Sequence, residues 1–307
     1  MTSFVDDHLW GLVSQVEPTA TQKDGAQRSH RFLRETLNTG QMANRISESY
    51  LSGSYARDTA IYPLDDVDVI FEIQANAWPT DLLAGHPSAS AVLETFASAI
   101  RYRYPVSSVY GQRRSVRLQL YHLDIDVVPA ISASEDRKLI LVPDRETGGW
   151  VKSSPKRHSE NATRINQRYS GRFKPLVKLL KLWNSKLPET VRCKSFLLET
   201  MAVRIFDGVN LASLEEAAIY FWDFIAAAGG ESSRYAWKQS FGMNFDWLSV
   251  TVPDAAGTGT NVAARMTYDH IKALASRARI SREKLESAQR SRTILGQAGF
   301  VSEAFRM

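Results

Sequence analysis

Gly53-Ser54-Tyr55-Ala56-Arg57-Asp58-Thr59 precedes, by the six residues Ala60–Asp65, the run Asp66-Val67-Asp68-Val69-Ile70-Phe71-Glu72-Ile73. In the second run Val67, Val69, Phe71 and Ile73 fall on one face of an extended chain and Asp66, Asp68, Ile70 and Glu72 on the other, because successive strand side chains alternate. This is a strand with one apolar face. Asp66 and Asp68 then share a face with Cα atoms about 7 Å apart. Like charges held side by side and half buried are unfavourable unless a cation lies between them. Hard oxygen donors with no His or Cys nearby point to Mg²⁺. Upstream, Gly53 and Ser54 offer unhindered backbone N–H groups and a hydroxyl that suit phosphate oxygens, and Arg57 and Thr59 add donors. Alone, the Gly-Ser pair reads as a surface turn; the acids that follow at this spacing favour the phosphate reading.

Working outward, Leu123-Asp124-Ile125-Asp126-Val127-Val128-Pro129 repeats the alternation, with Leu123, Ile125 and Val127 on one face and Asp124 and Asp126 on the other. If this strand neighbours the first, three carboxylates meet, enough for two Mg²⁺ ions and in-line displacement at phosphorus. The alternation by itself offers Asp124 and Asp126 equally for the third. In Lys174–Leu187, Leu176, Leu179, Leu180, Trp183 and Leu187 occupy one helical face and Lys174, Lys178 and Lys181 another. The aligned lysines read either as a solvated face or as a grip on an anion such as a triphosphate.

The flanking sequence divides the chain in two. Residues 5–50 read as helical with breaks near Pro18 and Gly40, and 90–104 read as a further helix. Ser107–Tyr110 and Ser115–Val128 read as a hairpin turning near Gly111, after which Pro129 and Pro143 interrupt. From about Pro155 the strand signal gives way to helix, with a loop at Val252–Gly259 and a last helix through Val262–Arg290. The expectation is an α+β protein with a mixed sheet over 1–154 and a helical domain over 155–307. Hydrophobic residues make up 44% of the 307 and charged residues 23%, an ordinary globular composition. The net charge is +5, yet Lys152–Lys194 carries twelve basic residues against two acidic ones. The single cysteine, Cys193, excludes an intrachain disulfide and a cysteine-rich zinc site. No apolar run is long enough to span a membrane, and MTSFVDDHLW carries acids where a secretory signal has basic residues. A cytoplasmic protein without membrane attachment is expected. Nucleic-acid binding through the basic segment is compatible with this charge but not required by it.

Gly-Ser-Tyr with Arg57 and Thr59, Asp66-Val67-Asp68, Asp126-Val127-Val128-Pro129-Ala130, Lys178 through Asn184, and Lys194-Ser195-Phe196 through Glu199 follow one another in an order that resembles the cGAS/DncV-like nucleotidyltransferases of bacteria. The resemblance spans about residues 5–290. It implies a polymerase-β-like core related to the oligoadenylate synthetases, and a helical C-terminal domain closing the active-site cleft. It further implies the joining of nucleoside triphosphates, ATP alone or with another, into a cyclic di- or trinucleotide second messenger of antiphage (CBASS-type) defence. By the same resemblance Asp66, Asp68 and Asp126 are catalytic and bind two Mg²⁺, with Mn²⁺ as a substitute. Gly53 and Ser54 hold triphosphate, Lys181 and Ser195 contact it, and Phe196 stacks on a base in place of a more usual tyrosine; Lys178 is a nucleotide-binding candidate from the lysine row alone. Asp58 stands where the family often has glycine. An activating HORMA-type partner is implied by resemblance only. The alternative within the same chemistry is a template-independent nucleotidyltransferase acting on RNA ends or another acceptor.

Overall fold

The computed structural model describes residues 3–80, 85–231 and 242–305. Two compact units emerge: Pro18–Ser159, and Met1–Glu17 together with Glu160–Met307. The sequence assigned 1–154 to the first domain. Helix α1 (Phe4–Gln15) instead packs with the C-terminal helices, because its apolar stripe of Val5, Leu9 and Val13 joins their hydrophobic cluster. The carboxylate of Asp6, 3% exposed, accepts hydrogen bonds from the first amides of a later helix, Leu214 (2.8 Å) and Glu215 (3.2 Å). It does the work of a cap from a distant part of the chain.

The first unit starts with α2 (Ala20–Thr39). Thr19 opens it with a capping box: its hydroxyl accepts from the Gln22 amide at 3.2 Å, and the Gln22 side chain accepts from the Thr19 amide at 3.3 Å. Strand β1 (Ile46–Ser52) follows, then one turn of helix, α3 (Gly53–Ala56), and strand β2 (Asp66–Ile73). Helix α4 (Ala89–Arg103) leads to β3 (Ser108–Gly111), β4 (Val116–Gln119), β5 (Asp124–Ser132), β6 (Ile140–Asp144) and β7 (Gly149–Ser153). The strand order is β1-β2-β5-β4-β3, with β6 pairing both β5 and β7. Only β2 and β5 run parallel; the other pairs are antiparallel, so the sheet is mixed, as expected.

Val67, Val69, Phe71, Ile125 and Val127 are buried in one cluster with Val92, Leu93, Phe96 and Ile100 of α4 and Leu33 and Leu37 of α2. Each such side chain contributes roughly 1.5–3 kcal/mol through burial. The opposite face is not uniformly polar. From Ile70 onward it is covered by Ala130, Ile140 and Val142, and the fully buried Glu72 is held by Arg137 at 2.6 Å. The two aspartates at the start of β2 lie outside this covered part.

Three boundaries differ from the sequence reading. The helical reading of 5–50 ends at Thr39, and Ile46–Ser52 is strand. Ser115–Val128 is not one strand: the Leu120 amide bonds the Leu123 carbonyl at 3.0 Å, turning β4 back into β5. Pro129 and Pro143 do not break the sheet. Pro129 sits between the last β5 residue paired with β4 (Val127) and the first paired with β6 (Ile131), where one side of the strand is open.

The second unit comprises α1, α5 (Pro155–Arg168) from Glu160 on, α6 (Phe173–Lys186), α7 (Ser195–Phe206), α8 (Leu214–Ala228), a short hairpin of β8 (Asn244–Phe245) and β9 (Val250–Thr251), α9 (Tyr268–Arg290) and α10 (Ile294–Phe305). Leu176, Leu179, Leu180, Trp183 and Leu187 are all buried, as their spacing predicts. The Trp183 indole donates to the Ser281 hydroxyl at 2.9 Å, which donates onward to the Ala304 carbonyl at 2.8 Å, tying α6 to α9 and α10.

Candidate active site

Strand register brings the acids together. Asp68 lies opposite Asp126 across the parallel β2–β5 pair, and Asp66 lies opposite Asp124. The Asp68–Asp126 row continues both ways: Asp68 is paired with Ser52 of β1, Asp126 with Arg117 of β4, and Arg117 with Tyr110 of β3. One row across five strands thus carries the chemistry-bearing side chains, and Gly53 follows Ser52 directly.

Gly53 is required at its position for two reasons. Its φ of +69° is a conformation that L side chains adopt only with strain. A Cβ there would also lie 1.8 Å from the Asp68 Oδ2 atom, so the backbone of the turn rests directly against that carboxylate. The turn is closed by bonds from the Arg57 amide to the Gly53 carbonyl (3.3 Å) and from the Thr59 amide to the Ser54 carbonyl (2.9 Å). Asp58 has a φ of +57°, which explains the suitability of glycine at this place and the tolerance for aspartate. Ser54 is half-buried, whereas Arg57 is 7% exposed and Thr59 fully buried. Of the four residues assigned to triphosphate from the sequence, Gly53 and Ser54 are the accessible ones, and Arg57 and Thr59 face inward.

The electrostatics match a cation site. The Asp68 carboxyl is pushed up to about 7, first by burial and then by Asp66 and Asp126, with Arg57 and Arg117 opposing. A carboxyl that holds its proton near neutrality gives it up when a divalent cation takes its place. As they stand, no three His, Cys, Asp or Glu side chains among the described residues are arranged to hold a metal ion. Arg117 lies among these acids. Its guanidinium donates to both oxygens of Asp126, Nε to Oδ1 at 2.9 Å and Nη2 to Oδ2 at 2.7 Å. It also donates from Nη1 to Asp124 Oδ2 at 3.0 Å and lies 4.0 Å from Asp66 Oδ2. These bonds, chiefly those to Asp126, raise the basicity of Arg117 further. Asp66, Asp68 and Asp126 fit a hard divalent cation by donor type and register, and Arg117 fills the same carboxylate face. No sequence signal other than an arginine on the polar side of Val116-Arg117-Leu118-Gln119 marked this residue.

The remaining candidates belong to the helical unit. Lys178 and Lys181, each 5% exposed, are paired with carboxylates: Lys178 Nζ with Glu17 Oε2 at 2.5 Å, and Lys181 Nζ with Glu199 Oε2 at 3.5 Å. Two of the three lysines of the row are thus paired with glutamates. Ser195 and Phe196 are the first two residues of α7 and are exposed, and the Lys194 side chain makes no capping bond there. Asn184 fixes where α7 begins. Its amide donates to the Cys193 carbonyl at 2.9 Å and accepts from the Cys193 amide at 3.0 Å. Burial pushes the Cys193 thiol up to about 12, so it is inert.

Over residues 4–166 the chain matches the family described as the Second Messenger Oligonucleotide or Dinucleotide Synthetase domain (SMODS). It is 28% identical over 273 residues to a protein of Acinetobacter sp. (strain ATCC 27244 / 9458) named cyclic AMP-AMP-AMP synthase, with 85% of this chain and 72% of that one covered. Its fold is similar to that of Escherichia coli MS115-1 CdnC solved with ATP, with a TM-score of 0.74 at 20% identity over 99% of this chain and 97% of that one. The same protein in its CdnC:HORMA-deltaN complex gives a TM-score of 0.73 at 21% identity, covering 95% and 94%.

Proposed function

Since the chain belongs to the Second Messenger Oligonucleotide or Dinucleotide Synthetase family and is a nucleotidyltransferase, we propose that it joins ATP into a cyclic trinucleotide second messenger of CBASS-type defence, using Asp66, Asp68 and Asp126 as its metal-binding acids. The observation that carries this reading is the row in which Asp68, lying against the Gly53 turn, stands opposite Asp126. The adenine preference and the cyclic trinucleotide follow the name of the Acinetobacter relative.

Gly53 and Ser54 bind the triphosphate through backbone N–H groups and the Ser54 hydroxyl. Asp66, Asp68 and Asp126 would hold the divalent metal, two Mg²⁺ in this reading, and the metal would supply Lewis acidity for displacement at phosphorus. A ribose hydroxyl attacks the α-phosphorus, forming a phosphodiester bond as the α–β phosphoanhydride bond breaks, with pyrophosphate leaving and the hydroxyl proton passing to solvent; two such joinings and a ring closure, each releasing pyrophosphate, give the product. Lys178, Lys181 and Ser195 contact triphosphate, and Phe196, 39% exposed, offers its ring to a base. Triphosphate competes with Glu17 and Glu199 for the two lysines. A HORMA-type protein is the proposed activating partner, by likeness to the CdnC complex, and the site of action is the cytoplasm; no helix among the described residues is long and apolar enough to cross a membrane.

Incubation with all four labelled NTPs and Mg²⁺, with and without a HORMA partner, tests the reading. A phosphatase-resistant product containing only AMP by mass spectrometry is expected. The double variant Asp66→Asn, Asp68→Asn should make none while keeping its circular dichroism spectrum. Label retained on added tRNA, with nothing formed from NTPs alone, would transfer the chemistry to an RNA acceptor.

A further inference from the structure

Arg117 is the one basic side chain in the Asp68–Asp126 row, and it engages three of the four aspartates of β2 and β5. Its side chain is 22% exposed and that of Asp126 10%, so the bidentate pair is largely removed from solvent. A planar guanidinium matches a carboxylate through two parallel bonds, and such charge-assisted pairs are stronger than neutral ones. Both oxygens of Asp126 are used in this way. They are the same atoms that a hard divalent cation needs, and a cation brought close to the guanidinium also meets like-charge repulsion. A triphosphate changes the balance. It brings negative charge that screens the two cations from each other, and its phosphate oxygens suit the guanidinium fork as well as a carboxylate does.

We propose that Arg117 is the resident counter-cation of the catalytic acids: before metal binds it pairs with Asp126 and bridges to Asp124, offsetting one of their two charges, it competes with divalent metal for Asp126, and so it makes metal loading depend on the nucleoside triphosphate. Arg117 acts through Asp126 and is a positioning residue. The proposal rests on the metal-binding role of Asp66, Asp68 and Asp126 given above. A competing role is purely structural, in which Arg117 only holds Asp126 in place; its removal would then weaken metal binding, the opposite sign.

The test is Mn²⁺ binding to the full chain by isothermal titration, first without nucleotide and then with a non-hydrolysable ATP analogue. Arg117→Gln should bind Mn²⁺ alone about tenfold more tightly than wild type, the scale set by losing one charge-assisted pair. The difference should shrink to within about threefold when the analogue is present. Arg117→Lys keeps the charge and loses the fork, and should fall between the two; it carries the same comparison if Arg117→Gln does not fold. Unchanged or weaker Mn²⁺ binding in both variants overturns the proposal. Wild type that binds no Mn²⁺ even with the analogue, and is matched by Asp66→Asn, would instead overturn the metal reading itself.

Discussion

Gly53 shows how narrowly a single position is constrained. Its positive φ and its contact with the Asp68 carboxylate are independent demands, and alanine fails both. The left-handed backbone alone costs a non-glycine residue roughly 1–2 kcal/mol. The added methyl group must also push Asp68 or the turn aside, and a displacement of about 1 Å at a reacting centre can cost about 100-fold in rate. Gly53→Ala is therefore expected to lower kcat/KM for cyclic product by about 100-fold, with a folded protein by circular dichroism. Activity within threefold of wild type would show that the turn and Asp68 are not mechanically linked. His30 makes a second prediction at this scale. Only 4% exposed on α2, it is pushed down to about 4, first by burial and then by Arg34 and Arg31. An unfolded histidine titrates near 6.5. Between about 6.5 and 4 the unfolded chain holds the extra proton, so stability contributed by His30 is present above that window and is lost as pH falls through it. The melting temperature of wild type should drop on acidification across this range, and His30→Leu should flatten that slope. An equal slope in the variant would assign the acid sensitivity to other groups.

Among the elements, those with a strict period were legible from sequence and those joined through register were not. β2 and the second half of the long Ser115–Val128 run alternate cleanly, and α6 repeats its leucines at helical spacing, so all three could be placed before any coordinates. The turn between β4 and β5 was hidden, because Tyr121 and His122 interrupt the alternation only briefly and no glycine or proline marks it. β6 and β7 were missed since Pro143 reads as a breaker, although it occupies a strand position opposite Trp150. The aspartates were identifiable because like charges on one strand face need an explanation. Arg117 was not, since an arginine alternating with Val116 and Leu118 looks like any solvated strand residue until the β4–β5 register puts it opposite Asp126. The lysines of α6 illustrate the converse. Their row was visible, but Glu17, which partners Lys178, is distant in sequence and carries no local mark, and nothing in the motif ending at Glu199 tied that residue to Lys181.

For the whole molecule, the notable feature is that α1 belongs with helices made more than 140 residues later. Asp6 is a specific link, accepting from two buried amides at the start of α8, beside the Ser3 hydroxyl that donates to Glu215. Asp6→Ala leaves both donors without that acceptor, at a cost of about 2 kcal/mol, and the melting temperature of the helical unit should fall by roughly 4–8 °C. Recovery of most of that loss in Asp6→Asn would confirm hydrogen bonding rather than charge as the cause; an unchanged melting temperature in Asp6→Ala would dismiss the cap. The same feature has a consequence during synthesis. On the ribosome α1 emerges well before α8, so its apolar stripe waits, exposed, while Pro18–Ser159 is translated and free to fold. The order of translation thus favours completing the catalytic sheet before the helical unit can close upon its first helix.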